Sequence, residues 1–476
     1  MRIAASFAVA ALSQLAASLL SAQAAGPAAE AERARQLVVS GKPGEAIPIY
    51  LQLVRAYPSS PDLLFNLCIA EFQANRYRDA ADHARAALEL KPDLAPADLF
   101  LGSSYLALGE DAKAVEPLRK AVSDMPGDRN APLALGEALL GSRQYEEALA
   151  QFRSSSERMP ESARAWYGLG RTYDALAGQA ADQVKAKFPD SAYASALAGD
   201  AYLKQRRYGS AFAAYREALA RGPVLPGVHA GLARVYKETG HAEWVVEEQA
   251  WEDKLPPATK SDTGPAAYYW SSKSYRELAA QAYERLLHLP PSLESQLHRA
   301  RSLDDEGRHR EASAEWRTAL KRAPGNMNVQ RGLAWALYES RDYDSALPVV
   351  RDMLKESPES ADANFLYGAS LLNLAQPHAA VPYLQTAIKE DPQMQAAESA
   401  LGQALLGDGH PEQAIPYLKA AVLHDEDGNA HFQLFRAYQL TGNSLLAREA
   451  LAAYRQFRTS LDQQRKIEEG SQIKAP

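Results

Sequence analysis

Small and bulky apolar residues recur along this chain in a fixed phase. A Leu-Gly pair is followed by Tyr three residues on, Gly four later and Ala five beyond. A bulky residue, a second Ala and a Pro complete the period. Leu101, Gly102, Tyr105, Gly109, Ala114, Leu118, Ala121 and Pro126 form the clearest copy. The prolines hold the register: Pro58, Pro92, Pro126 and Pro160 stand 34 residues apart, as do Pro324, Pro358 and Pro392. Ala46, Ala80, Ala114 and Ala148 keep the same step, and Ala312, Ala346, Ala380 and Ala414 repeat it. Within each period apolar residues return at helical spacing in two segments separated by a turn. Pro ends the second segment, because it has no N–H and restricts the residue before it. The pattern predicts successive pairs of helices.

One such pair cannot bury its apolar stripe alone, so neighbours must stack. Gly102, Gly136, Gly170, Gly199, Gly368 and Gly402 are expected where the two helices of a pair approach closely. Leu118, Phe152, Tyr215, Trp316 and Leu384 are expected to fill the space between pairs. Pro48, Pro348, Pro382 and Pro416 fall in or just beyond the first turn of second helices, where few N–H groups have an intrahelical partner.

The order Leu-Gly, Tyr, Ala, bulky residue, Ala, Pro over 34 residues resembles the tetratricopeptide repeat. The resemblance implies an all-α fold, a right-handed α-solenoid of antiparallel helix hairpins, here with about a dozen repeats. Two units break the period. The one at 163 reaches Pro189 after 29 residues, and the stretch at 260–291 is equally irregular and follows a polar loop, 256–264. Trp166-Tyr167, Tyr173, Leu176-Ala177, Gln179-Ala180 and Pro189 are echoed 102 residues later by Tyr268-Tyr269, Tyr275, Leu278-Ala279, Gln281-Ala282 and Pro291. That offset is three repeat lengths, which points to a duplicated three-unit block; convergence within one repeat family is the alternative. The expected organisation is an N-terminal array over 25–162, an irregular centre over 163–292 and a C-terminal array over 293–460. A capping helix end and frayed tail, 461–476, close the chain.

Composition agrees with helices. Ala and Leu dominate, and both lose little side-chain freedom in a helix. Hydrophobic residues make up 46% and charged residues 23%, a globular balance. The net charge of −7 and pI of about 5.9 argue against nucleic acid as a partner. Residues 1–24 read as a signal peptide: Arg2, an apolar run from Ile3 to Leu20, and Ala22-Gln23-Ala24 as a small-x-small cleavage site. An uncleaved anchor is the alternative, since the run approaches spanning length. The expected location is therefore periplasmic or extracellular. No later segment has 18 uninterrupted apolar residues, so no membrane span is expected in the mature chain. Cys68 is the single cysteine, so no internal disulfide can form.

Candidate chemistry is sparse. Gly168-Leu169-Gly170 lacks a third glycine and a preceding strand, and it falls where the repeat wants small residues. GxxxxGK[ST], HExxH and GxSxG do not occur. The ten histidines have no ligand spacing, and Cys68 occupies the small slot taken by Gly102 one period later. We therefore expect no catalytic residues, no metal, no cofactor and no enzyme activity.

In the tetratricopeptide family the first helices of the hairpins line a concave face. The resemblance places Tyr167, Arg171, Arg234, Lys237, Tyr269, Lys273, Arg301, Arg331 and Trp335 in the middle of such a groove, with Arg164, Asp174, Arg276, Asp304 and Tyr338 beside them. Phe65 and Phe72 precede this cationic, aromatic stretch, and Phe365 and Leu372 follow it. Arg and aromatic residues are frequent anchors of protein interfaces. The expected partners are other proteins or peptide segments with acidic and hydrophobic residues. The family's clamp for a C-terminal carboxylate is not expected, because Asn66 stands alone. The leading expectation is a scaffold or adaptor outside the cytoplasm. The alternative is an accessory subunit of an envelope polysaccharide or glycosyltransferase system, contacting glycan or enzyme.

Overall fold

The computed structural model describes residues 25–255, 263–425, 428–470 and 473–476, the side chains of 25 and 463–470 excepted. The expected signal peptide, most of the polar loop (256–262) and residues 471–472 of the expected frayed tail lie outside the described residues.

The described residues form 24 helices and no strand. The first eight are α1 (Ala25–Val39), α2 (Pro43–Ala56), α3 (Pro61–Gln73), α4 (Tyr77–Leu90), α5 (Ala95–Ala107), α6 (Asp111–Asp124), α7 (Ala131–Gly141) and α8 (Tyr145–Arg158). The central stretch holds α9 (Ala163–Lys187), α10 (Ala192–Lys204), α11 (Tyr208–Arg221), α12 (Val228–Glu238), α13 (Ala242–Glu252) and α14 (Gly264–His288). The remainder are α15 (Leu293–Asp305), α16 (His309–Arg322), α17 (Met327–Glu339), α18 (Tyr343–Glu356), α19 (Ala361–Asn373), α20 (Pro377–Glu390), α21 (Gln395–Gly407), α22 (Pro411–Val422), α23 (Asn429–Leu440) and α24 (Ser444–Gly470).

Each regular hairpin turns on one residue in the left-handed region. Gly41, Asn75, Gly109 and Arg143 occupy it at 34-residue intervals, as do Gly307, Arg341, Ala375 and Gly409, with φ between 58° and 85°. A left-handed residue after the last helical turn lets the following N–H groups reach the orphan carbonyls of that turn. Leu108, Gly109 and Glu110 N–H bond back to Ser104, Leu106 and Tyr105 carbonyls in this way. Pro48, Pro348, Pro382 and Pro416 lie inside their second helices, which continue through them.

Packing within a hairpin is a contact between one small and one bulky residue sixteen positions apart. A Cβ built on Gly136 would lie 2.9 Å from the Phe152 ring; one on Gly199, 2.6 Å from Tyr215; one on Gly368, 2.7 Å from Leu384. The missing Cβ is what admits the bulky side chain, and burying each such side chain stabilises by roughly 1.5–3 kcal/mol. Ala46, Ala80, Ala114 and Ala148 are fully buried, as are Ala312, Ala346, Ala380 and Ala414.

Helices α9 and α14 depart from this plan. The left-handed turn expected at residue 177 is absent, and α9 runs on for 25 residues, about 37 Å. Helix α14 is also 25 residues long. Each starts 29 residues before the next helix, five short of the period, so the turn residues are missing. Without a turn, the two halves of one continuous helix do not form a hairpin with each other.

The chain forms two compact units, and two of the boundaries between them fall inside these two helices, at 175/176 and 276/277. The described residues of the first unit are 25–175, 277–298 and 316–330. In it, the first half of α9 pairs with the second half of α14: a Cβ on Gly170 would meet Tyr283 Cε1 at 2.5 Å, and Tyr283 Oη donates to Asp174 at 2.7 Å. The second unit comprises the described residues within 176–276, 299–315 and 331–476. There the first half of α14 pairs with the second half of α9. Ser272 Oγ donates to the Ala177 carbonyl at 2.9 Å, and Lys187 Nζ stands 5.2 Å from the Tyr268 ring. Ala181 and Val184 share a core with Tyr215 and Tyr269. Two turnless repeats have exchanged their second halves.

Candidate partner-binding face

The nine expected groove residues fall in both units, and each unit is described by itself. In the first, Tyr167 is buried, and the Arg171 guanidinium stands 5.7 Å from its ring centroid. Arg164 forms a two-pronged pair with Glu137, at 2.7 and 2.8 Å. Asp174 is engaged by Tyr283, whose hydroxyl pKa is driven up by burial and then by the Asp174 charge. Arg164, Arg171 and Asp174 are thus each engaged by a neighbouring side chain of the same unit.

In the second unit, Arg234 and Lys237 are exposed on α12, three residues apart. Tyr269 is fully buried; its hydroxyl faces the Pro226 carbonyl at 3.5 Å and its ring meets Tyr193 and Trp270. Lys273 is bound to Asp200 at 2.6 Å, and Arg276 stands 3.7 Å from the same carboxylate. Tyr215 Oη donates to the other oxygen of Asp200 at 2.9 Å. Asp200 is thus the hub of this cluster, and the sequence pattern did not single it out. The available signal was its place directly after Gly199, where Glu137 and Arg171 stand in their repeats.

Arg301 is exposed on α15. On α17, Arg331, Trp335 and Tyr338 follow one another at i, i+4 and i+7, a spacing that puts them on one face. All three are half-buried. Arg331 stands 3.6 Å from Asp362, and Trp335 lies 6.0 Å from Tyr338 and 5.9 Å from the buried Phe365. Burial pushes the Tyr338 hydroxyl up to about 12.

The structure therefore brings together Tyr167 with Arg171 and Tyr269 with Lys273, and the helical spacing puts Arg331 and Trp335 on one face. Of these, the α17 stripe presents both an aromatic and a cationic group to solvent. Among the described residues no group of three or more His, Cys, Asp or Glu side chains could hold a metal ion, and no helix is long and apolar enough to cross a membrane.

A stack of such hairpins defines a helical-repeat protein whose surfaces serve protein–protein interaction. The chain belongs to the tetratricopeptide repeat family: models of that repeat match residues 31–95, 69–132, 133–182, 175–226, 297–361, 331–394 and 371–438. Residues 227–296, which include α12, α13 and α14, lie outside these matches. Proteins of this family bind other proteins or peptides. No curated protein matches the chain.

Solved structures of MamA are similar in part. A MamA RS-1 double mutant is 23% identical over 36% of this chain and 97% of its own, with a TM-score of 0.33. MamA from Desulfovibrio magneticus RS-1, residue 41 to its end, is 22% identical over 32% of this chain and 85% of its own, with a TM-score of 0.30. A further MamA crystal structure is 16% identical over 41% of this chain and 92% of its own, with a TM-score of 0.30.

Proposed function

We propose that this protein is an adaptor working outside the cytoplasm, and that it holds acidic and hydrophobic partner segments against the first helices of its hairpins. The observation that carries the reading is the α17 stripe. Trp335 and Tyr338 offer contact area at little conformational cost, and Arg331 offers directional donors to a carboxylate. Both kinds of group are half-buried, so they are held in place yet accessible. Exposed Arg234 and Lys237 add positive charge on α12 in a chain that is acidic overall. The export reading rests on Arg2, the apolar run from Ile3 to Leu20 and the Ala22-Gln23-Ala24 site.

Selection of binders from a displayed peptide library tests the groove. Wild-type protein is expected to enrich acidic peptides with aromatic or aliphatic residues, and Arg331→Glu with Trp335→Ala to weaken them at least tenfold. Binding untouched by the pair of substitutions defeats the proposal. Fusing residues 1–30 to alkaline phosphatase tests export; an inactive, cytoplasmic fusion rejects that part.

A further inference from the structure

Of the last described residues, 473–476, Ile473 and the Lys474 carbonyl lie on the block formed by α10 to α13, while Lys474, Ala475 and Pro476 are otherwise exposed. Ile473 packs against the apolar core that contains Phe212, Val235 and Tyr236. Next to it, the carbonyl of Lys474 accepts a hydrogen bond of 2.6 Å from Tyr236 Oη. Tyr236 is fully buried and is surrounded by aromatic rings: Trp244 at 5.3 Å, Phe212 at 6.1 Å and His241 at 6.5 Å. His241 in turn stacks on Trp244 at 4.2 Å.

A buried hydroxyl needs a partner, and leaving one unpaired costs about 1–3 kcal/mol. Here the partner is a main-chain carbonyl of a segment outside any helix. A donor aimed at main chain, beside an apolar seat for one side chain, is an arrangement that reads an extended segment. The charges nearby are divided between helices, Arg234 and Lys237 on α12 and glutamates on α13. Burial and then the carboxylates of Glu248 and Glu247 push the Tyr236 hydroxyl up to about 12, against the opposing charge of Arg216. Glu248 is buried against His229 at 2.5 Å, whereas Glu247 and Glu243 are exposed on α13. A basic residue following the aliphatic one suits that acidic helix, and Lys474 follows Ile473.

We propose that the α11–α13 end of this block is a binding site for an extended segment bearing an aliphatic residue followed by a basic one, and that Ile473 and Lys474 fill it in cis. When the tail leaves, Tyr236 loses its acceptor and the apolar seat opens, so a segment of the same chemistry in trans competes with the tail. The site is independent of the α17 stripe and of the partner chemistry proposed for it.

The test uses full-length protein and a fluorescein-labelled peptide ending in Ile-Lys-Ala-Pro, followed by anisotropy. Wild type is expected to bind weakly, because its own tail competes. Ile473→Asp releases the tail by placing a carboxylate in an apolar seat beside an acidic helix, and this variant is expected to bind at least tenfold more tightly. Adding Tyr236→Phe, which keeps the ring and removes the donor, is expected to weaken that binding about fivefold or more. Thermal melts of all three establish that the block stays folded. Equal affinity for wild type and Ile473→Asp, no binding to Ile473→Asp, or equal binding of a scrambled peptide each overturns the proposal.

Discussion

Tyr283 of α14 lies over Gly170 of α9, in the position that Phe152 takes over Gly136 within a single hairpin. In every regular hairpin with this contact the bulky residue follows its glycine by sixteen positions; counted from Gly170, that place holds Ala186, which is too small to fill it. The partner comes instead from the second turnless helix. Truncating Tyr283 should therefore loosen the first half of α9 and leave its second half protected. For Tyr283→Ala we expect a loss of roughly 2–4 kcal/mol, the range for a large side chain that is not wholly enclosed. Tyr283→Phe, which removes the bond to Asp174, should cost about 1 kcal/mol. Hydrogen exchange read by peptide masses checks the location. Equal loss of protection over 163–175 and 176–187 would contradict the exchanged pairing.

Most of the hairpin plan is legible in the sequence because it depends on local chemistry. Glycines and prolines fix the phase, and Gly136 with Phe152, or Gly368 with Leu384, meet at the distance the repeat sets. The irregular units at 163 and over 260–291 and their mutual echo were also visible. Their pairing was not, since nothing in a run of residues states which distant half completes a helix that has lost its turn. The groove suffered from the same limit. Tyr269 and Lys273 occupy family positions that face inward, but the exchange packs Tyr269 into a core and delivers Lys273 to Asp200. Arg331 and Trp335 lie in a regular hairpin, α17 with α18, and both are half-buried.

Ala375 holds the left-handed turn of its hairpin at φ 58°, and Gly409 holds the next at φ 85°. An L side chain in this region costs about 1–2 kcal/mol through the clash of Cβ with the following carbonyl. Ala375→Gly should therefore stabilise the array by about 0.5–1 kcal/mol after the extra freedom of the unfolded chain is set against it. Gly409→Ala should destabilise it by about 1 kcal/mol. Urea midpoints of the two variants should move in opposite directions; movement in the same direction would remove the turn strain as the cause.

His83 and Glu71 form a pair at 2.7 Å, and Glu71 is almost wholly buried. The hydrogen bond that His83 Nδ1 donates to the Glu71 carboxylate raises the His83 pKa above its ordinary 6.5, against the effect of burial. Burial raises the Glu71 carboxyl, and His83 partly offsets it. Both groups hold protons more tightly folded than unfolded, so both make stability fall as pH rises. The contribution of His83 is complete below about pH 6.5 and is lost as pH climbs through its raised folded value. Melting temperatures of wild type and His83→Gln from pH 5 to 9 should differ most at the acid end and converge at the alkaline end. A constant difference would show that the pair acts through packing alone.

Cys68 stands in the slot of Gly102, and the residue sixteen positions on is Ala84 where the next hairpin has Leu118. Cys68 and Ala84 share one buried cluster, so the larger first-helix residue is matched by a smaller second-helix one. Ala84→Leu alone should overpack the site and cost about 1–3 kcal/mol. Cys68→Gly alone opens a void and should cost about 1 kcal/mol. Together they rebuild the Gly102–Leu118 contact, so the double variant should recover at least half of the summed loss, a coupling expected for residues that share one space. The thiol reports on the same packing. Burial, and then the Glu71 charge, raises its pKa well above the ordinary value, which suppresses the reactive thiolate. Native wild type should therefore leave a disulfide reagent unreacted while urea-unfolded protein consumes one equivalent. Ala84→Leu, by loosening the hairpin, should speed the native reaction in proportion to its loss of stability. Additive losses in the cycle, or a thiol that reacts equally fast before and after unfolding, would show that size matching does not hold this hairpin.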